Sequence, residues 1–466
     1  MQGYRIDPTI LREYDIRGVV GEKPGGNLGA GDARAIGRSF ATLVRAQGGG
    51  KVVVGRDGRL SSPMLEAALV EGLTASGVDV VRIGISSSPM LYFAELSAED
   101  VQGGIQITGS HNPADQNGFK MVMAGRPFYG AAIQRLGELA AAGEWSRGAG
   151  RVEDRSVIDA YVEGMLGALA DLPADRLAAL KIGWDAGNGA AGPVLERLTA
   201  RLPGEHHLLH TDVDGTFPNH HPDPSEEANL ADLRALVAAK KLDFGVAFDG
   251  DADRIGVIDG QGRALAGDQL LLIYAEDVLR KNPGARVIAD VKASRVLFDR
   301  VAALGGVPDM WKTGHALIKS RMKQTGAVLA GEMTGHMFFA DDYHGFDDAF
   351  YAALRLMAAT LRLDRSVAEF HDAMPQPVST PELRFAVGES RKFAAVEEVR
   401  GRLAEAGAEV VAVDGVRVTT ADGWWLLRAS NTQAMLVARA ESETPEGLAR
   451  LVGEIDRQLA ASGLSR

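Results

Sequence analysis

Three stretches of the chain repeat one plan: a strand, a polar turn, a helix, a second strand with its loop, a helix, then a short apolar strand ending in a polar loop. In the first, Lys51-Val52-Val53-Val54-Gly55 opens, Ser62 to Ala75 reads as a helix, and Gly104-Ile105-Gln106-Ile107 runs into the loop at Ser110. In the second, Lys181 to Asp185 opens, Ala190 to Leu198 is helical, and Phe244 to Phe248 runs into Asp249-Gly250-Asp251-Ala252-Asp253-Arg254. In the third, Arg286 to Asp290 opens and Ala327 to Ala330 runs into Gly331-Glu332-Met333-Thr334-Gly335-His336. Strands alternating with helices at this spacing predict mixed or parallel sheets covered by helices, with ligands gathered where strands end.

The chain has 466 residues, more than one hydrophobic core organises. Gly143 to Gly150 lacks periodicity and precedes an amphipathic helix near Ile158 to Leu169, which sets a first boundary. Gly260-Gln261-Gly262 sets a second and Pro375-Gln376-Pro377 a third. The expected units are 1–150, 151–260, 261–374 and 375–466. The last reads as a smaller α+β unit, with strands at Glu409 to Val413, Trp424 to Leu427 and Met435 to Ala438, and helices around Ala394 to Ala406 and Glu446 to Leu459.

The formal net charge of −12 repels a polyanion, so nucleic-acid binding is not expected. An anionic substrate must be small and must meet a local concentration of Arg, Lys and backbone N–H groups. The chain has no cysteine, which excludes thiolate nucleophiles and sulfur-ligated metals. No apolar stretch is long enough to span a bilayer and the first residues show no basic patch before an apolar run, so a cytoplasmic location is expected.

Four loops carry chemistry. Asp249, Asp251 and Asp253 alternate, and on an extended loop all three carboxylates turn to one side. Mutual repulsion of about 3 kcal/mol per pair calls for a cation. The calcium-loop pattern is incomplete, because Arg254 stands where it needs glycine and Gly260 where it needs glutamate; a few carboxylates with open positions suit magnesium. Thr108-Gly109-Ser110-His111-Asn112-Pro113 offers a hydroxyl in a glycine-containing turn, without the surroundings of a hydrolase elbow. Arg428-Ala429-Ser430-Asn431-Thr432 offers a guanidinium, hydroxyls and an amide suited to a phosphate dianion. Glu332, Thr334 and His336, spaced i, i+2, i+4 on an extended segment, suit sugar hydroxyls; Glu332 and His336 lack a third zinc ligand. Asp212-Val213-Asp214-Gly215-Thr216 looks like the aspartyl nucleophile motif of haloacid-dehalogenase-type enzymes. It follows a poorly apolar second strand rather than the first, so Asp212 and Asp214 read as turn formers.

In this order, the serine, triple-aspartate, Gly331-to-His336 and Arg428 loops resemble the α-D-phosphohexomutase family, and most its bacterial phosphomannomutase/phosphoglucomutase branch. The resemblance spans nearly the whole chain. It implies four domains around a central cleft, three related α/β domains with mixed sheets and a smaller C-terminal α+β domain. It also implies interconversion of hexose 1-phosphate and hexose 6-phosphate, of mannose or glucose, through a phosphoserine and a hexose 1,6-bisphosphate. By the resemblance Ser110 is the phosphoserine and, with Asp249, Asp251 and Asp253, holds the magnesium. Glu332 and Thr334 contact sugar hydroxyls, and Arg428, Ser430, Asn431 and Thr432 bind the phosphate not being transferred. Tyr14-Asp15-Ile16-Arg17-Gly18 resembles the family's N-terminal signature, which sets Arg17 at the reacting phosphate, with His111 and Lys120 beside it. Tyr14, Arg254, Lys292, His315 and His336 match further cleft positions. Thr334 stands where the branch usually has serine, Gln433 where many members have glutamate, and Met333 is typical of the mannose/glucose branch rather than glucosamine-directed relatives. The expected partners are small sugar phosphates, with no nucleic acid and no membrane, acting on a monomer or weak dimer. Phosphoglucosamine mutase and a magnesium-dependent sugar phosphatase are the alternatives.

Overall fold

The structure, a computed structural model, describes residues 2–21, 25–431 and 433–465. Each of the three repeats forms the same sheet. In the first, Asp79–Ile85, Lys51–Arg56 and Gly103–Ile107 run parallel in that order, and Gln116–Met123 returns antiparallel. In the second, Glu205–Leu209, Lys181–Asp185 and Phe244–Phe248 run parallel, followed by antiparallel Ile255–Asp259. In the third, Val307–Trp311, Arg286–Asp290 and Leu329–Gly331 run parallel, followed by antiparallel Met337–Phe339. The middle strands Gly103–Ile107 and Phe244–Phe248 are buried throughout, as strands covered on both faces must be.

The polar loop at the end of each third strand is the connection to the antiparallel strand. Three equivalent loops therefore leave the carboxyl ends of three equivalent strands. The fourth sheet is antiparallel, built of Val378–Ser379, Leu383–Ala386, Glu409–Val411, Val416–Thr420, Gly423–Ala429 and Met435–Ser442. The long helices Glu389–Glu405 and Pro445–Ala461 cover it.

The four-unit α/β architecture matches the expectation; the details differ in physically informative ways. The expected helix 158–169 is α-helical over Ile158–Leu166 and tightens to a 3-10 turn over Gly167–Leu169. Val152–Asp154 pairs with Asp79–Ile85, and Ala264–Leu265 with Ile255–Asp259, so the first sheet runs past position 150 and the second past 260. The residues just after the expected boundaries add edge strands because an open sheet edge recruits whatever backbone passes it. Helix Ala349–Leu363 is almost wholly buried, and Asp348 caps it by accepting from the backbone N–H groups of Phe350 and Tyr351, both at 3.0 Å. It packs on Ile158–Leu166 of the second unit and Gly267–Lys281 of the third, so one continuous core spans the first three units. The fourth keeps its own core around Trp425 and Leu427.

Candidate active site

The segment Asp249 to Asp253 is a tight turn rather than an extended loop: the Ala252 N–H donates to the Asp249 carbonyl at 3.0 Å, and Ala252 has φ +58°. The turn still converges the carboxylates, all three fully buried. Asp249 Oδ1 accepts the N–H groups of Asp253 and Arg254 at 3.1 and 3.2 Å, and its Oδ2 accepts the Ser110 hydroxyl at 2.7 Å. Asp251 Oδ2 accepts Ser88 Oγ–H at 2.5 Å and Lys120 Nζ at 2.7 Å. Lys120 also donates to Asp253 Oδ2.

That leaves Asp251 Oδ1 and Asp253 Oδ1 buried with no hydrogen-bond partner among the described residues. One oxygen from each carboxylate lies within 4.8 Å of the others. Orphaned anionic oxygens in a buried site demand a counter-charge, and an all-oxygen donor set fits a hard divalent cation. The electrostatics agree. Burial, with Asp251 and Asp253 adding to it, raises the Asp249 carboxyl well above its ordinary range. Burial opposes charge on Lys120 too, but Asp251, Asp253 and Asp249 outweigh it and hold the ammonium protonated.

Ser110 lies in the turn three residues after the strand Gly103–Ile107 and sits in a left-handed conformation, φ +50°. Its Oγ lies 3.2 Å from His111 Nδ1. Burial, then the charges of Arg254, Arg17 and Lys120, keeps the His111 imidazole neutral by lowering its pKa well below the usual value. Arg17 reaches the same loop, donating to Asn112 Oδ1 at 2.5 Å while its Nε pairs with Asp15 at 2.7 Å.

The sugar-loop expectation needs correcting in form. Residues 332–336 make a turn between paired Gly331 and Met337, with Gly335 at φ +94°, so period-two alternation does not apply. Glu332 is buried, its Oε2 accepting the Gly314 N–H at 3.2 Å and its Oε1 left without a partner among the described residues. His336 points back to the Asp249–Asp253 turn. Its Nε2 accepts from Arg254 Nε at 3.0 Å, so the ring proton sits on Nδ1, 3.0 Å from Asp347 Oδ2. His315 stacks on His336, centroids 5.5 Å apart, and neither of its nitrogens has a hydrogen-bond partner among the described residues. Thr334 is half-buried in the same turn. Lys292 is buried between Asp290, at 3.7 Å, and Glu382 of the fourth unit, at 3.3 Å.

The fourth unit reaches over these loops. Arg428, at the end of the strand Gly423–Ala429, is buried and paired with Asp414 at 2.9 Å. Asn431 donates to Tyr14 Oη, and the Tyr14 hydroxyl donates to the Thr313 carbonyl at 2.8 Å, which ties the first, third and fourth units at one point. Ser430 lies beside them, its carbonyl accepting from Lys392 at 2.6 Å. Thr432 lies outside the described residues. Sequence reasoning missed Ser88, Asp347 and Arg59, although Arg56-Asp57-Gly58-Arg59 follows the end of an opening strand, where the repeat directs attention.

Family models match four successive segments: phosphoglucomutase/phosphomannomutase alpha/beta/alpha domain I over 8–147, domain II over 159–262, domain III over 266–378 and the C-terminal domain over 382–458. The chain belongs to the phosphoglucomutase/phosphomannomutase family. It is 42% identical to a phosphomannomutase/phosphoglucomutase of Pseudomonas aeruginosa, over 98% of this chain and 96% of that protein. It is 42% identical to a phosphoglucomutase of Neisseria gonorrhoeae, over 96% and 95%. A solved phosphoglucomutase/phosphomannomutase family protein from Burkholderia thailandensis superposes with a TM-score of 0.90 at 45% identity, covering 98% of both chains. Among the described residues no helix is long and apolar enough to cross a membrane.

Proposed function

We propose that this phosphohexomutase carries the phosphoryl group on Ser110 and works on mannose and glucose phosphates. The observation that supports this most is the Ser110 hydroxyl bonded to Asp249 beside two carboxylate oxygens without hydrogen-bond partners among the described residues. Asp249, Asp251, Asp253 and the Ser110 oxygens would hold a magnesium ion, which when bound neutralises charge on the transferring phosphoryl group.

In the forward step a free hydroxyl of the hexose monophosphate attacks the phosphorus of phosphorylated Ser110. The new P–O bond forms as the P–Oγ bond breaks, and the product is a hexose 1,6-bisphosphate. The hydroxyl proton passes to a base and the released serine oxygen regains a proton. His111 and Lys120 are the two groups beside Ser110 for this exchange, and the pH profiles of His111→Gln and Lys120→Met assign the roles. Arg17 stabilises the equatorial oxygens. The bisphosphate then turns end for end and returns its other phosphoryl group to the serine. Arg428, Ser430, Asn431 and Thr432 bind the phosphate that stays, while Glu332, Thr334, His336 and His315 meet the sugar. Arg254, Lys292 and Tyr14 line the same cleft. Closure of the fourth unit keeps water from the phosphoserine.

A coupled assay tests the reading. Glucose 1-phosphate and mannose 1-phosphate should convert to their 6-phosphates, with magnesium required and a 1,6-bisphosphate stimulating. Ser110→Ala should remove nearly all turnover. Steady phosphate release without isomerisation, or preference for glucosamine phosphates, would replace it.

A further inference from the structure

Ser110 adopts a left-handed backbone conformation that L-residues with a side chain rarely choose, so its surroundings must impose it. The side chain that holds the loop from one side is Arg59, which is 0% exposed. Its Nη2 donates to the carbonyls of Ser110 at 2.7 Å and Asn112 at 2.6 Å. Its Nη1 donates to those of Pro113 at 2.6 Å and Gln116 at 3.0 Å. A guanidinium ordinarily meets a carboxylate or phosphate. Here the rigid fork is committed to four backbone carbonyls of a single loop, and Asp57 balances its charge from 3.3 Å.

Asp57 grips the loop from its other side, its Oδ2 accepting the Gly109 N–H at 3.2 Å. The glycine preceding the serine follows from this arrangement. A Cβ at position 109 would lie 2.5 Å from Arg59 Nε and 2.6 Å from its Cζ, well inside van der Waals contact with the guanidinium. The second unit covers the opposite face: the Phe217 ring lies 5.1 Å from the guanidinium carbon. A Cβ at Gly215 would come within 2.6 Å of Arg59 Cα. The Asp212-to-Thr216 segment, which looks like a nucleophile motif, thus packs against Arg59. Asp214 is a turn former, its Oδ1 accepting from Thr216 N at 2.9 Å and Thr216 Oγ1 at 2.7 Å.

We propose that Arg59, held between Asp57 and Phe217, is a positioning residue that shapes the serine loop and fixes Ser110 Oγ against Asp249 across the junction of the first two units. The inference rests on reading Ser110 as the phosphoryl carrier. A lysine would keep the charge, but as a point donor it cannot span four carbonyls. Among the described residues Arg59 spends its donors on the serine loop and not on the sugar or phosphate loops, so losing it should act on turnover and leave substrate binding intact.

The test measures kcat and KM for glucose 1-phosphate in wild type, Arg59→Lys, Phe217→Leu and Phe217→Tyr. Intact mass after incubation with a hexose 1,6-bisphosphate reads phosphorylation, and thermal melting reads folding. Arg59→Lys should lose about 100-fold in kcat, the scale of an ångström-sized misplacement, with KM changed less than about threefold. Should Arg59→Lys fail to fold, Phe217→Leu carries the test. It should lower kcat several-fold at constant KM, whereas Phe217→Tyr, which keeps the ring face, should restore wild-type turnover. A folded Arg59→Lys with wild-type kcat overturns the proposal, and so does a Phe217→Leu that changes only KM or only the melting temperature. Wild-type enzyme that never acquires phosphate on Ser110 overturns the carrier reading instead. Phosphorylated wild type beside unimpaired variants overturns the Arg59 proposal alone.

Discussion

Replacing Lys120 by methionine takes one cation away from three buried carboxylates while keeping most of the side chain's volume. The Lys120 ammonium meets Asp251 Oδ2 at 2.7 Å and also bonds Asp253. At that distance and an effective dielectric near 20, one contact amounts to about 6 kcal/mol before desolvation is counted. Once the desolvation already spent on the partners is included, breaking a buried pair costs about 3–5 kcal/mol. With one core spanning the first three units, and unfolding entropy of about 2.1 cal/mol/K per residue, each kcal/mol shifts melting by about 1–1.5 °C, so the metal-free variant should melt about 5 °C lower. Magnesium should reverse much of this. An ion at a hundred times its Kd stabilises by about 2.7 kcal/mol, and without a competing ammonium the carboxylates bind it more tightly. Calorimetry in EDTA and then at one fixed magnesium concentration should show a low starting point and a larger magnesium-induced rise than in wild type. A variant that melts with wild type in EDTA, or that gains less from magnesium, would refute the argument.

Exhaustive chelation should abolish isomerisation and added magnesium should restore it; turnover surviving in EDTA removes the cation from the Asp249–Asp253 turn. Arg428→Met should raise KM for glucose 1-phosphate about 10- to 100-fold, the loss of one charged hydrogen bond of about 1.5–3 kcal/mol, and an unchanged KM would take Arg428 out of phosphate binding. His220 pairs with Asp185 at 2.9 Å; burial alone would lower its pKa, but the Asp185 carboxylate raises it above the unfolded value. A raised folded pKa stabilises fully below about pH 6.5 and loses that contribution as pH climbs through the folded value. His220→Gln should therefore cost more stability in urea melts near about pH 5.5 than near about pH 9, and a penalty independent of pH would show that the pair carries no charge.

Much of the site was legible because the repeat is a property of local sequence. Apolar runs such as Lys51 to Gly55 and Phe244 to Phe248 declare strands, and the loop leaving each third strand must lie at a sheet's ligand-binding end. The shapes of those loops were less legible. Both the aspartate and the sugar loops were expected to be extended and are tight turns, because closing an antiparallel pair such as Phe248 with Ile255 decides the backbone path. Arg59, Ser88 and Asp347 were not read as site residues. Arg59 and Ser88 act on loops distant in sequence, and although the repeat points to the loop that holds Arg59, a buried arginine spent on carbonyls has no spacing signature.

Sequence alone determined the fold class, the three-fold plan and the residue types at three strand ends, since periodicity and glycine-bearing turns act over a few residues. Only the tertiary structure decided that Ser88 and Lys120 occupy one oxygen of Asp251 and leave the other free, that Gly109 lies against a guanidinium, and that Phe217 seals it. Those outcomes depend on desolvation and on distances between units, which no local pattern encodes.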